Sequence, residues 1–230
     1  MKKPALIIGS GPSVDKIKSE WLPLFETYGC NSAYAKFKEW GRATDNVIIT
    51  DSTRLKEINK AYESYRGNLF IGDERRIVPS YDYTRKLLGR DFTPLRQLTK
   101  KTFPINRFTR LLSIPKQLRT TVFDKLNVSF NLQQQGFNFG RSVSSSAVQL
   151  AVARGHKEVY MIGIDASYTN EKDYFGSMKG SVSMVNNTFI KNPRMMMEPF
   201  FVMSQILMEE KGAVLTDLSE GGLRFVNKNT

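Results

Sequence analysis

Residues 1–13, MKKPALIIGSGPS, decide the fold, because the apolar run Ala5–Ile8 breaks into Gly9-Ser10-Gly11-Pro12-Ser13 and then into a helix-like pattern. A short apolar run bounded by turn residues reads as a buried strand, and this one feeds a turn of the phosphate-binding kind. Glycines let a backbone approach a phosphate closely, while the N–H groups and positive dipole end of the next helix stabilise its charge. Pro12 suits a helix start, having no N–H to leave unpaired. The spacing is not that of a Walker A loop. It is not GxGxxG either, whose third glycine would fall where Val14 stands, so the standard ATPase and NAD fingerprints are both excluded. The turn is an anion site of another kind, or a strand-turn-helix without a ligand.

Moving outward, the same alternation continues. The pattern predicts a helix over Val14–Phe25, a strand reaching Cys30-Asn31, a helix near Ala33–Trp40 and a strand over Asn46–Thr50 ending at Asp51. A helix over Leu55–Tyr65 and a strand over Asn68–Gly72 follow. Regularity returns with a helix over Ser142–Arg154, ended by Gly155, and the strand Lys157–Ile164 running into Asp165. Met195–Lys211 reads as a helix and Ala213–Asp217 as a last strand. Apolar runs separated by helices point to an α/β fold: a Rossmann-like, doubly wound, mostly parallel sheet. The expectation is one nucleotide-binding domain over 1–230. It carries a basic insertion of short helices and loops at 81–138, punctuated by prolines, and a lid at 166–192, where no periodicity is visible.

Composition sets further bounds. The 230 residues, 40% hydrophobic and 24% charged, suffice for a sizeable hydrophobic core. Cys30 is the only cysteine and His156 the only histidine, which excludes an intrachain disulfide and any cysteine-cluster or histidine-rich zinc site. No apolar stretch approaches the roughly 20 residues of a membrane span, and the first apolar run stops at Gly9, too short for a signal peptide. The expected location is cytoplasmic, with peripheral attachment at the inner membrane surface as an option. The net charge of +12 is concentrated: Tyr81–Leu126 holds eleven basic against three acidic side chains, a net +8. Aromatic residues interleave these cations, as suits an anionic glycan, a membrane surface or nucleic acid, though a solvated basic face reads the same way.

In an open parallel sheet, ligands sit beyond the carboxyl ends of the strands. Here those ends carry Gly9–Ser13, Asn31-Ser32, Asp51-Ser52-Thr53, and Asp165 with Tyr168. Together they offer a phosphate turn, an amide that donates and accepts, two carboxylates and a phenol, an inventory that suits a nucleotide. Each has a plainer alternative: Asn31 as a turn former, Asp51 and Asp165 as helix caps, Ser142 and Ser144–Ser146 as caps and packing residues. His156, in Arg-Gly-His-Lys, reads as a surface loop residue on the opposite edge of the sheet.

The combination of IIGSGPS (Ile7–Ser13), Cys30-Asn31, the Ser-rich helix start at Ser142, AVQLAVARGHKEVYMIGID (Ala147–Asp165) and VLTDLSEGG (Val214–Gly222) resembles the bacterial sialyltransferases of glycosyltransferase family 42. It is also similar to the related family of archaeal 6-hydroxymethylpterin pyrophosphokinases and flagellin-glycosylation proteins. The resemblance implies a Rossmann-like domain that binds a CMP-sugar donor without a metal and inverts at the anomeric centre. Carried over, it places Ser10, Gly11 and Asn31 on the nucleotide and its phosphate, with Gly9 and Ser13 in the same turn. Ser142 and Ser144 line the cytidine and phosphate region, Gly163 and Asp165 hold ribose or base, and Tyr168 and Tyr174 stabilise the departing phosphate. The family's lid histidine has no counterpart between Ala166 and Thr230. Either a carboxylate such as Asp173 or Glu171 takes the role of base for the acceptor hydroxyl, or the reaction differs. Asp51 stands where these sialyltransferases carry Asn-Pro-Ser and leans toward the pyrophosphokinase branch, in which a carboxylate binds Mg²⁺ bridging nucleotide phosphates. Three readings follow: a sialyltransferase-like glycosyltransferase needing no metal, a Mg²⁺-dependent diphosphotransferase, or a catalytically silent nucleotide- or nucleic-acid-binding protein. The partners expected are a nucleotide or nucleotide-sugar, an anionic acceptor at the basic segment, and a second copy of the chain as an option.

Overall fold

The structure is a computed structural model that describes residues 2–50, 60, 62–73, 91, 93–96, 142–165, 201, 205, 208–209, 212–219 and 223. Among the described residues the strands are β1 (Ala5–Ile8), β2 (Glu26–Cys30), β3 (Asn46–Ile49), β4 (Asn68–Asp73), β5 (Thr93–Arg96), β6 (Glu158–Ile162) and β7 (Val214–Asp217), and the α-helices include α1 (Phe37–Trp40) and α2 (Val143–Ala153). The strands form one sheet in the order β5-β4-β3-β2-β1-β6-β7, and every neighbouring pair is parallel. The chain works outward from β1 to β5 and returns to β6 on the other side of β1, which puts a topological switch point between β1 and β6. This is the Rossmann-like α/β architecture read from the sequence.

All but β5 form where that reading places them, and β1 and β3 are apolar on both faces, as parallel strands require: Ala5, Leu6, Ile7, Ile8, Val47, Ile48 and Ile49 are all buried. One core cluster gathers Leu6, Ile8, Val14, Ile17, Leu22, Trp40 and Ile162; another gathers Val47, Ile49, Tyr62, Tyr65, Leu69 and Ile71. Helix α2 packs across β1, β2, β3 and β6, and it is buried from Ser144 to Val152, its small Ser and Ala side chains allowing close approach. Because α2 precedes β6 in a parallel sheet, it runs opposite to the strands, and its first turn lies at their carboxyl edge.

Two elements differ from expectation. Val14–Phe25 is not one α-helix but two short 3-10 helices, Pro12–Lys16 and Ser19–Leu24. Pro23 lies inside the second, where its missing N–H and ring would disrupt an α-helix; Leu22 turns inward and Trp21 and Leu24 outward. Within the basic segment, Thr93–Arg96 forms β5, the outermost strand beside β4 among the described residues, where the N–H that Pro94 lacks is tolerated. The rest of the insertion, apart from Asp91, and all of the 166–192 lid lie outside the described residues. Among the described residues no helix is long and apolar enough to cross a membrane.

Candidate functional site

The Gly9–Ser13 turn is stitched to the end of β6. Gly9 N–H donates to Ile162 O at 2.8 Å and Gly11 N–H to Gly163 O at 2.8 Å. A side chain at Gly9 would overlap the Gly163 carbonyl, and one at Gly11 would overlap Asp165 Oδ2. Gly163 has a φ of +77°, and a side chain there would collide with Val14. The sequence assigned glycines to this turn so that a phosphate could approach; the structure has them admit the protein's own backbone from the β6 side.

The carboxylate of Asp165 closes that arrangement. Its Oδ2 accepts from Ser13 N–H at 3.1 Å and Ser13 Oγ at 3.0 Å, while Ser13 Oγ accepts from Gly163 N–H at 2.9 Å. Both residues are buried, Asp165 at 7% exposure and Ser13 at 3%. A second clamp backs the first: Ser219 N–H donates to Asp217 Oδ1 at 2.9 Å, and Ser219 Oγ accepts from Ile164 N–H at 2.9 Å. This accounts for the acidic residue and serine of VLTDLSEGG, which hold the loop after β6.

The open side of the turn faces β2. Ile8 lies opposite Gly29, so the residues that follow, Ser10 and Asn31, reach the same edge of the sheet. Asn31 is the one non-glycine residue with a positive φ among the described residues, at +45°. Its backbone is held on both sides, with N–H donating to Ile48 O at 2.9 Å and the carbonyl accepting from Tyr62 Oη at 2.6 Å. Its side-chain Oδ1 is buried and accepts no hydrogen bond among the described residues. A left-handed asparagine with an unused, desolvated acceptor is costly to fold, and such costs concentrate at sites that meet a ligand.

At the start of α2, Ser142 caps the helix, its Oγ accepting from Ser144 N–H at 3.3 Å. Ser142 itself is half-buried. Ser144 turns inward instead, where its hydroxyl hydrogen-bonds the Cys30 sulfur. That contact sets the first turn of α2 beside the end of β2. Burial pushes the Cys30 thiol up to about 12, so it stays a protonated packing residue.

Of the residues expected at the site, Gly9, Ser10, Gly11, Ser13, Asn31, Ser142, Ser144, Gly163 and Asp165 lie at the carboxyl edge of the sheet. Within that set, Ser13, Asp165 and Gly163 bond one another, and Ser144 faces the interior. Asp51, Tyr168, Asp173 and Tyr174, with Glu171, lie outside the described residues. Tyr62 was not singled out by the sequence, since a tyrosine at helical spacing reads as core. Among the described residues no three His, Cys, Asp or Glu side chains gather as a metal site.

The opposite edge holds a polar network around Glu26. Arg154 Nη2 lies 3.1 Å from Glu26 Oε1, Tyr28 Oη donates to the same oxygen at 2.8 Å, and His156 Nε2 lies 3.2 Å from Oε2. His156 is 1% exposed, a correction to its reading as a surface residue. Its Nδ1 lies 2.8 Å from the Lys3 carbonyl, which only accepts, so Nδ1 carries the proton and Nε2 faces Tyr28 Oη at 3.0 Å. Burial holds the imidazole below its ordinary value, against the Lys3 hydrogen bond and the Glu26 charge. Burial would raise Glu26, but the Tyr28 hydroxyl, with Arg154, His156 and Lys2, outweighs it and leaves the carboxyl below its ordinary value. The network ties the end of α2 to the starts of β1 and β2, far from the candidate site.

Neither a family model nor a curated protein matches the chain. Among solved structures it is similar to the MAf glycosyltransferase from Magnetospirillum magneticum AMB-1, at 14% identity and a TM-score of 0.55. The match covers 100% of this chain and 33% of that one, so the chain spans about a third of the neighbour's length. At this identity the likeness is one of fold, and what the chain shares with that glycosyltransferase is the Rossmann-like sheet.

Proposed function

We propose that the protein is a nucleotide-sugar-dependent glycosyltransferase, sialyltransferase-like, that binds a CMP-sugar between the Gly9–Ser13 turn, Asn31 and the first turn of α2. The observation that carries the reading is Asn31, whose buried Oδ1 lacks a donor among the described residues, at the edge where an open parallel sheet receives its ligand. A nucleotide supplies that donor, from a ribose hydroxyl or the exocyclic amine of cytosine. Ser10 and the Ser142 hydroxyl then face the phosphate, beside the dipole of an 11-residue helix. The glycosyltransferase activity of the structural neighbour agrees with this reading.

The reaction needs a base and a leaving-group partner, roles given to Asp173 and to Tyr168 with Tyr174. The acceptor hydroxyl gives its proton to the Asp173 carboxylate as its oxygen bonds the anomeric carbon. The bond from that carbon to the CMP oxygen breaks, and CMP leaves with the electron pair. Hydrogen bonds from the two tyrosines stabilise its charge. The +8 segment Tyr81–Leu126 faces an anionic acceptor or an inner-membrane surface.

Thermal-shift titration with CMP, CDP, ATP and GTP, each with and without Mg²⁺, tests the proposal. Stabilisation by CMP without metal supports it. Stabilisation that requires ATP and Mg²⁺ replaces it with the diphosphotransferase reading, and no response to any nucleotide removes the nucleotide site.

A further inference from the structure

We infer that Tyr62 is a positioning residue for the proposed nucleotide site, acting through the backbone of Asn31; the inference rests on the reading of Asn31 above. Tyr62 is fully buried, and its hydroxyl does two things at once. It donates to Asn31 O at 2.6 Å and accepts from Tyr34 N–H at 3.3 Å, so a single oxygen fixes the chain as it leaves β2. Asn31 has no glycine's freedom, and its left-handed φ of +45° persists because the surroundings over-determine it. The N–H side is fixed by β3 through Ile48 O, and the carbonyl side, among the described residues, by Tyr62.

The ring is itself held rigid. It meets Tyr34, Phe37 and Tyr65 edge to face, at centroid distances of 5.4, 6.3 and 5.6 Å. Burial holds the phenol far above its ordinary value, so it remains a neutral donor at any working pH. A rigid donor beneath a strained residue pre-organises that residue's side chain for a ligand.

Tyr65 provides an internal control. It lies three positions on in the same aromatic cluster, is also buried, and donates to Thr44 O at 2.8 Å, on the loop that enters β3 at the other edge of the sheet. Tyr62→Phe and Tyr65→Phe each delete one buried hydroxyl that donates to a backbone carbonyl. A merely structural role predicts that the two variants behave alike.

The experiment measures CMP affinity by calorimetry for the parent, Tyr62→Phe and Tyr65→Phe, with the Asn31 backbone amide, Cα shift and three-bond HN–Hα coupling followed by NMR without ligand. Tyr62→Phe is expected to weaken CMP binding about tenfold and to move the Asn31 resonances, while Tyr65→Phe leaves both near the parent values. Equal effects of the two variants, or unchanged Asn31 resonances in Tyr62→Phe, overturn the inference. If the parent itself does not bind CMP, the nucleotide reading fails, and the Asn31 resonances alone judge Tyr62. Should Tyr62→Phe fold poorly, a double-mutant cycle with Asn31→Gly decides. Glycine adopts the left-handed conformation unaided, so losses smaller than additive support the coupling and additive losses overturn it.

Discussion

Ser13 and Asp165, 152 positions apart, are joined on a single oxygen: Asp165 Oδ2 takes both the backbone N–H and the hydroxyl of Ser13, at 3.1 and 3.0 Å. The pair bridges the topological switch point, tying the turn after β1 to the loop after β6. The carboxylate stands where the sequence placed an incoming anion, next to the first N–H groups of the Pro12–Lys16 helix.

Asp165→Ala leaves two buried donors without their acceptor. The expected cost is about 1–3 kcal/mol, a fall in Tm of several degrees in thermal denaturation without ligand. Asp165→Asn keeps one side-chain oxygen to accept and loses less. Ser13→Ala removes one donor along with the acceptor for Gly163 N–H, and falls between the two.

Gly9→Ala and Gly11→Ala push a methyl group into the Gly163 carbonyl and the Asp165 carboxylate respectively. Neither neighbour is the free end of a long side chain, so both variants are expected to lose more stability than Gly41→Ala. Gly41 also has a positive φ, +66°, but nothing lies within 4 Å of a side chain there, so the substitution costs only the conformational strain, about 1 kcal/mol. Chemical denaturation of the three variants gives the ranking.

The sheet was legible in the sequence because ALII, NVII and EVYMI are short apolar runs that suit a strand buried on both faces. That the strands run parallel followed from their alternation with helices. What was not legible depended on residues distant in the chain. Nothing in Arg-Gly-His-Lys shows that His156 meets Lys3, Glu26 and Tyr28, and nothing local at Asp165 shows that Ser13 uses its carboxylate. The helix expected at Val14–Phe25 was a local misreading: Pro23, which an α-helix interior does not tolerate, was present in the sequence. At the site, Asn31 was found from its place after a strand, whereas its left-handed backbone and the Tyr62 hydrogen bond needed the fold.

Acid sensitivity should begin with His156. Its folded-state value lies below 6.5, so the unfolded chain takes up the proton first as the pH falls. The stabilisation is complete above about pH 6.5 and declines below it; Glu26, held below 4.5, adds its own loss at still lower pH. A plot of Tm against pH should slope downward below 6.5 in the parent, and His156→Gln should flatten the upper part of that slope. A parent Tm that rises as the pH falls through this range would show that the imidazole is charged in the folded protein.

Asn31→Gly separates stability from binding. Glycine adopts the φ of +45° without penalty and removes the buried Oδ1, which has no donor among the described residues, so Tm should hold or rise by a degree or two. CMP-induced stabilisation should fall sharply in the same variant. A loss of stability without a loss of binding would make Asn31 a structural turn residue.

The central claim is that a nucleotide binds at the carboxyl edge of the sheet beside Asn31. Titration of isotope-labelled protein with CMP, followed by amide and side-chain NMR, tests it most directly. The account predicts saturable shifts of the Asn31 carboxamide and of the Ser10, Gly11 and Val143 amides, with the network around Glu26 and His156 unmoved. Shifts confined to other residues, or no saturable shift at millimolar CMP, would contradict it.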